Sequence, residues 1–216
     1  MKTKAVIFDL DGVITDTARF HFLAWKKLAD KLGYYFDEKV NERLKGVSRS
    51  RSFEIILEVN NAMYKYSTAE KEAFCTEKNE IYKELIKQLT PDDVLPGIRE
   101  FMDKASAAGI KTAVASVSKN ARDVLAYLGM ADSFDYIADA KKITKSKPDP
   151  EIFLVCAEEL GVLPEDCIGI EDAQAGIEAI HNAGMLSIGI NVDVTSLSPD
   201  ISLSSTSELD FDSLVK

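Results

Sequence analysis

Two aspartates, Asp9 and Asp11, follow directly on the apolar run Ala5-Val6-Ile7-Phe8. A short continuous apolar run closed by a turn, here at Gly12, predicts a strand buried on both faces. Asp9 then stands at the end of that strand and Asp11 in the loop beyond it. Open α/β sheets bind ligands outside the carboxyl ends of their strands. Two neighbouring carboxylates repel, so the pair calls for a cation or a proton. A divalent metal could neutralise one acid while the other attacks or titrates. A lone Asp-x-Asp also fits a solvated turn, because Asp and Gly are common turn residues, so the partners matter.

Three more strand ends carry polar groups. One strand runs from Lys111 to Ser116 and continues into Val117-Ser118-Lys119-Asn120. A hydroxyl beside the N–H groups of a helix start suits a phosphate, though Ser118 alone also reads as a plain N-cap. Lys147, in Ser146-Lys147-Pro148-Asp149-Pro150, precedes a helix and could aim a compact ammonium at an anion. Glu171-Asp172 follows the run Cys167-Ile168-Gly169-Ile170. Paired acids there suit a hard cation such as Mg²⁺, or simply the dipole of the next helix.

Positioning these ends requires alternating elements. Helices are predicted near 97–108, 119–128, 150–161 and 174–184, with strands near 111–116, 136–138, 167–171 and 186–190. A short edge strand near 201–203 and a small C-terminal helix complete the series. The alternation predicts an α/β fold, a doubly wound parallel sheet. Residues 17–90 contain no convincing strand. One helix there should bury Phe20, Leu23, Leu28 and Leu32 and stop at Gly33. A loop follows with Lys45, Gly46, Val47, Ser48 and Arg49, then a helix with Phe53, Ile56, Leu57 and Met63. The spacing Ser67-Thr68-Ala69-Glu70 is that of a capping box and opens a third helix, with Phe74, Ile81, Leu85 and Leu89 as its apolar face and Pro91 as its end. The predicted organisation is a core of residues 1–16 and 91–216 with an all-helical cap, 17–90, inserted through hinges near 13–17 and 90–96.

The chain has 216 residues, is 46% apolar and carries a net charge of −10. That charge argues against nucleic acid or an anionic membrane as partner. It also requires any phosphate site to be built from local cations. The three cysteines form no CxxC pair and read as buried apolar residues of a reducing compartment. No targeting or membrane segment is read, because the first apolar run ends at Asp9. The expectation is a cytoplasmic monomer.

The stretch Asp9-Leu10-Asp11-Gly12-Val13-Ile14-Thr15-Asp16 resembles the nucleophile motif of the haloacid dehalogenase superfamily. The runs at Ser116, at Lys147 and at Glu171-Asp172 resemble that superfamily's remaining motifs, in order. The resemblance covers the whole core and implies a Rossmann-like core of phosphoryl-transfer chemistry. It implies Asp9 as the nucleophile that becomes aspartyl phosphate and Asp11 as general acid/base. It further implies Ser116 and Lys147 as phosphoryl ligands. Mg²⁺ would lie on Asp9, the Asp11 carbonyl and Asp172, with Glu171 assisting.

The stretch His21-Phe22-Leu23-Ala24-Trp25-Lys26, the loop Arg43 to Ser50 and the run Glu77-Lys78-Asn79-Glu80-Ile81-Tyr82 resemble the sugar-phosphate mutase branch of the superfamily. Substrate contacts implied by that resemblance are His21, Trp25, Lys45, Gly46, Val47, Ser48, Arg49, Lys78, Val117, Ser118, Lys119 and Asn120. Thr17 and Arg49 would act in closure, with Ser116 and Lys147. The implied reaction interconverts β-glucose 1-phosphate and glucose 6-phosphate through β-glucose 1,6-bisphosphate. A sugar-phosphate phosphatase is the alternative. Three departures stand out: Arg19, where an acid is expected, Val117, where a smaller residue is common, and a loop at 141–147 unusually rich in lysine.

Overall fold

The computed structural model describes residues 3–44, 47–192 and 198–215 of the 216. It divides into two compact units, Met1–Asp16 with Leu89–Lys216, and Thr17–Gln88.

The first unit is built on a six-stranded parallel sheet. Its strands are β1 (Ala5–Phe8), β2 (Lys111–Val114), β3 (Tyr136–Ile137), β4 (Cys167–Glu171), β5 (Leu186–Ile190) and β6 (Ile201–Leu203). They lie in the order β3-β2-β1-β4-β5-β6. The chain winds outward from β1 to β3, then crosses back to lay β4 on the other side of β1. That reversal makes a switch point between β1 and β4, where a crevice opens at the carboxyl ends.

Every residue of β1 and β4 is buried, as a strand covered on both faces requires. Ala5 and Ile7 of β1 pack with Phe153 and Cys156 of α7 (Glu151–Leu160) and Ile177 and Ile180 of α8 (Gln174–Asn182). Phe8 faces the other way, edge-on to Phe101 of α5 (Ile98–Ala107) at 5.8 Å between ring centroids. Phe101 in turn meets Phe211 of the short C-terminal helix α9 (Phe211–Leu214). A bifacial core of this kind holds β1 in one register, and with it the position of Asp9. The connection between β2 and β3 is α6 (Ala121–Tyr127).

Within the second unit the described helices are α1 (Ala18–Leu32), α2 (Glu38–Glu42), α3 (Arg49–Val59) and α4 (Thr68–Ile86). Its core gathers Trp25, Leu28, Phe53, Ile56 and Leu57, with Trp25 and Phe53 stacked at 6.1 Å. Gly33, at φ 70°, ends α1, and the Ser67–Glu70 capping box opens α4.

Several expectations are corrected. Leu23 is 45% exposed; α1 buries Ala24 and Ala29 instead. The buried face of α4 is Cys75, Lys78, Tyr82 and Ile86, not the stripe through Phe74, Ile81 and Leu85. Met63 lies beyond α3, which ends at Val59, and Ser116 lies two residues beyond β2. Lys45 and Gly46 fall outside the described residues. Arg49 is not a loop residue but the first of α3. Among the described residues no helix is long and apolar enough to cross a membrane.

Candidate active site

Asp9 leaves β1 at the switch point, its N–H bonded to the Ile170 carbonyl of β4 at 2.9 Å. The chain then folds back on itself. Gly12 N–H donates to the Thr15 carbonyl, and Ile14 N–H to the Leu10 carbonyl. Gly12 sits at φ 77°, and a Cβ there would stand 2.1 Å from Asp172 Oδ2. Only glycine permits both the backbone conformation and the approach of that carboxylate. The turn is braced from the other chain connection. Thr15 Oγ1 donates to the Asp93 carbonyl at 2.8 Å, and Leu95 N–H to the Ile14 carbonyl at 2.9 Å. Asp11 is thereby held on a fixed loop just beyond Asp9.

Lys147 reaches this point from the loop before α7. Its Nζ lies 2.6 Å from both Asp9 Oδ1 and Glu171 Oε1, and its side chain is only 11% exposed. The ammonium also lies 5.1 Å from the Phe153 ring centroid. Glu171 closes the arrangement by accepting from Ala173 N–H at 2.8 Å. Gly176 makes room for it, since a Cβ there would stand 1.9 Å from Glu171 Oε1. Glu171 is therefore the anchor that fixes Lys147.

Charge at the site is unbalanced. Burial pushes the Asp9 carboxyl up, to about 7; Lys147 opposes this, and the Glu171 and Asp11 charges add to it. Burial, then Glu171, Asp9 and Asp11, push Asp172 up to about 8. For Lys147, burial alone would lower the pKa, but Asp9 and Glu171 outweigh it and raise the value. Lys147 thus contacts two of four carboxyl groups whose charges act on one another, and the cluster favours a further cation.

Among the described residues no three His, Cys, Asp or Glu side chains are arranged to hold a metal ion by themselves. Mg²⁺ does not require that; it commonly takes one or two carboxylates and keeps waters or substrate phosphate oxygens. Asp9 and Asp172, hard oxygen donors with excess negative charge between them, fit such an ion.

Beside β1, the chain after β2 forms a tight turn. Ser116 is buried, and its Oγ accepts from Ser118 N–H at 3.2 Å, leaving the hydroxyl proton free to donate. Ser118 Oγ accepts from Asn120 N–H, and Asn120 is the N-cap of α6. Val117 is half exposed and Lys119 exposed at this rim.

The second unit holds its own polar cluster. Lys78 is 2% exposed on α4, with Nζ 5.0 Å from the ring centroids of both Trp25 and Tyr82. Lys78 Nζ lies 2.8 Å from His21 Nδ1. An ammonium only donates, so Nδ1 accepts and the ring proton sits on Nε2. Burial, then Lys78 and Arg49, push the His21 pKa well below the usual histidine value, consistent with this neutral tautomer. His21 stacks on Tyr82 at 4.1 Å, and Tyr82 Oη donates to Thr17 Oγ1 at 3.2 Å.

Arg49 is the first residue of α3; Ser48 is its N-cap, accepting from Arg51 N–H, and Val47 lies exposed just before it. No acid occupies that first turn, so guanidinium and helix dipole both favour an anion there. Arg49 donates to Asn79 Oδ1 at 2.8 Å. Sequence reasoning did not single out Asn79 and Tyr82 as members of this cluster; Asn79 adjoins Lys78 and Tyr82 lies one turn beyond it on α4, which was the available signal.

The model of the haloacid dehalogenase-like hydrolase family matches residues 3–184. The chain is 48% identical to β-phosphoglucomutase of Bacillus subtilis over 95% of this chain and 91% of that one. It is 32% identical to a phosphorylated carbohydrates phosphatase of Thermotoga maritima, over 84% and 82%. The crystal structure of β-phosphoglucomutase from Clostridium difficile superposes with a TM-score of 0.92 at 48% identity, covering 98% of this chain and 95% of that one. With this sheet order, this placement of Asp9 and these matches, the chain belongs to the haloacid dehalogenase-like hydrolase family.

Proposed function

We propose that the protein is a phosphomutase, an enzyme that interconverts β-glucose 1-phosphate and glucose 6-phosphate through aspartyl phosphate and β-glucose 1,6-bisphosphate. The observation that carries this reading is the Asp9–Lys147–Glu171 triad at the switch point, in a chain so similar to two β-phosphoglucomutases. Asp9 attacks the phosphorus of the donor, and the bond to the sugar oxygen breaks. Lys147, tied to Glu171, holds its ammonium where the transferring oxygens gather charge, and the Ser116 hydroxyl donates to one of them. Asp11 gives its proton to the leaving sugar oxygen. In the second half-reaction it takes a proton from the attacking hydroxyl. Asp9 and Asp172 would hold a divalent metal, Mg²⁺ in our reading, whose positive charge would favour the ionised form of Asp9 and offset the charge of the transferring phosphoryl group.

The helical unit supplies the second anion site. Arg49 and Ser48 take the phosphate that is not being transferred, assisted by Lys78 and His21. The substrates are small sugar phosphates, and the setting is cytoplasmic. A phosphatase on the same core is the second reading, favoured by the similarity to the Thermotoga phosphatase. Product analysis separates the two. With β-glucose 1-phosphate, Mg²⁺ and trace bisphosphate, glucose 6-phosphate is expected as the main product. Release of glucose and inorganic phosphate in its place would overturn the mutase reading.

A further inference from the structure

The substrate is an anion, yet the chain carries a net charge of −10 and the site gathers four carboxyl groups against one ammonium. Approach to Asp9 is therefore opposed by the protein's own field unless local cations offset it. The lysine-rich loop from residue 138 to Lys147 is placed to do this. It leaves the carboxyl end of β3, where Ala138 N–H bonds the Val114 carbonyl of β2, and it ends at the ammonium in the site. Lys141, Lys142 and Lys145 are exposed along it. At most about 18 Å of chain separates Lys142 from Lys147.

The loop is also held in shape. The Glu151 carboxylate accepts from Thr144 N–H, Thr144 Oγ1 and Lys145 N–H, at distances from 2.6 to 3.1 Å. Asp139 Oδ1 accepts from Lys141 N–H at 3.0 Å. One acid of the loop, Asp139, and one from the start of α7, Glu151, are thus turned onto the loop's backbone. Lys145 Nζ lies 3.3 Å from Asp149 Oδ2, while Lys141 and Lys142 are exposed.

We propose that Lys141, Lys142 and Lys145 form an electrostatic collecting surface for phosphate esters entering the Asp9 site, one that favours a bisphosphate over a singly phosphorylated donor. The proposal rests on the phosphoryl-transfer reading above. Its physical content is that attraction scales with substrate charge and is screened within about 10 Å at 0.1 M salt. The lysines touch no reacting atom; they raise the encounter rate and leave the chemical step unchanged.

The test compares wild type with the triple variant Lys141→Gln/Lys142→Gln/Lys145→Gln in single-turnover experiments. Consumption of β-glucose 1,6-bisphosphate is followed whichever monophosphate appears, and acetyl phosphate serves as the donor of lower charge. At about 0.02 M salt, kcat/KM for the bisphosphate is expected to fall about tenfold, and for acetyl phosphate about threefold, as half the charge implies. At about 0.5 M salt both differences should vanish, and the rate at saturation should be unchanged throughout. The triple arginine variant should match wild type. Equal losses for the two donors, losses that persist at high salt, or no loss at all would each overturn the proposal. Failure of the mutase reading shows separately, in which product forms, and does not alter this comparison.

Discussion

At the scale of single residues, the account depends on Asp9 being both buried and held. Its Oδ1 is fixed by Lys147, so its other oxygen is free to attack, and no other group of the site combines that position with that restraint. Asp9→Asn is expected to lower turnover by about 10⁴-fold or more. The fold should survive, because the change removes one of four mutually repelling acids and leaves Lys147 paired with Glu171. Steady-state kinetics and a thermal melt check the two halves of this expectation. A variant with full activity would remove Asp9 from the mechanism.

At the scale of elements, the site depends on how closely the Asp9–Thr15 turn meets the end of β4. Gly12 is the point of contact with Asp172. Gly12→Ala is expected to cost about 1–2 kcal/mol from its left-handed backbone alone. It should also displace Asp172 and weaken Mg²⁺ binding, read by calorimetric titration; unchanged metal affinity would contradict the contact.

Much of this element layout was legible in sequence. Buried parallel strands are short apolar runs, and here each of the long ones ends in a polar residue. The edge strand at 201–203 and the capping box at Ser67 were equally local signals. The helical unit was less legible, for a physical reason. Helix α4 carries apolar residues on two sides, and its buried face includes Lys78, which composition assigns to solvent. The tertiary stack of Trp25, Tyr82 and His21 around that ammonium accommodates its burial. Helix α2 is five residues long, too short for a periodic pattern, and is marked only by its Asp37 cap. The Lys147–Glu171 pairing joins residues 24 apart in sequence, and no local pattern announces it.

At the scale of the whole molecule, the concentration of buried acid links metal, pH and stability. In chelated protein the Asp9 and Asp172 carboxyls have values raised to about 7 and about 8. A raised carboxylate stabilises the fold below its unfolded value, near 4, and that contribution is lost as pH rises through the folded value. Chelated protein is therefore expected to melt at progressively lower temperature between about pH 4 and pH 8. Mg²⁺ should restore stability most at the upper end, and much less in Asp172→Ala. Melts that are flat across this range, or insensitive to Mg²⁺, would contradict the charge imbalance.

Arg49→Ala is expected to weaken use of the bisphosphate while sparing phosphoryl transfer from acetyl phosphate, which has no second phosphate. Equal losses for both donors would make Arg49 structural.

The central claim is that a sugar hydroxyl, not water, receives the phosphoryl group from Asp9. Turnover of β-glucose 1-phosphate in heavy-oxygen water tests it most directly, with the phosphorus products read by NMR or mass spectrometry. The account predicts glucose 6-phosphate whose phosphoryl group carries no solvent oxygen. Inorganic phosphate bearing one solvent oxygen as the main product would contradict it.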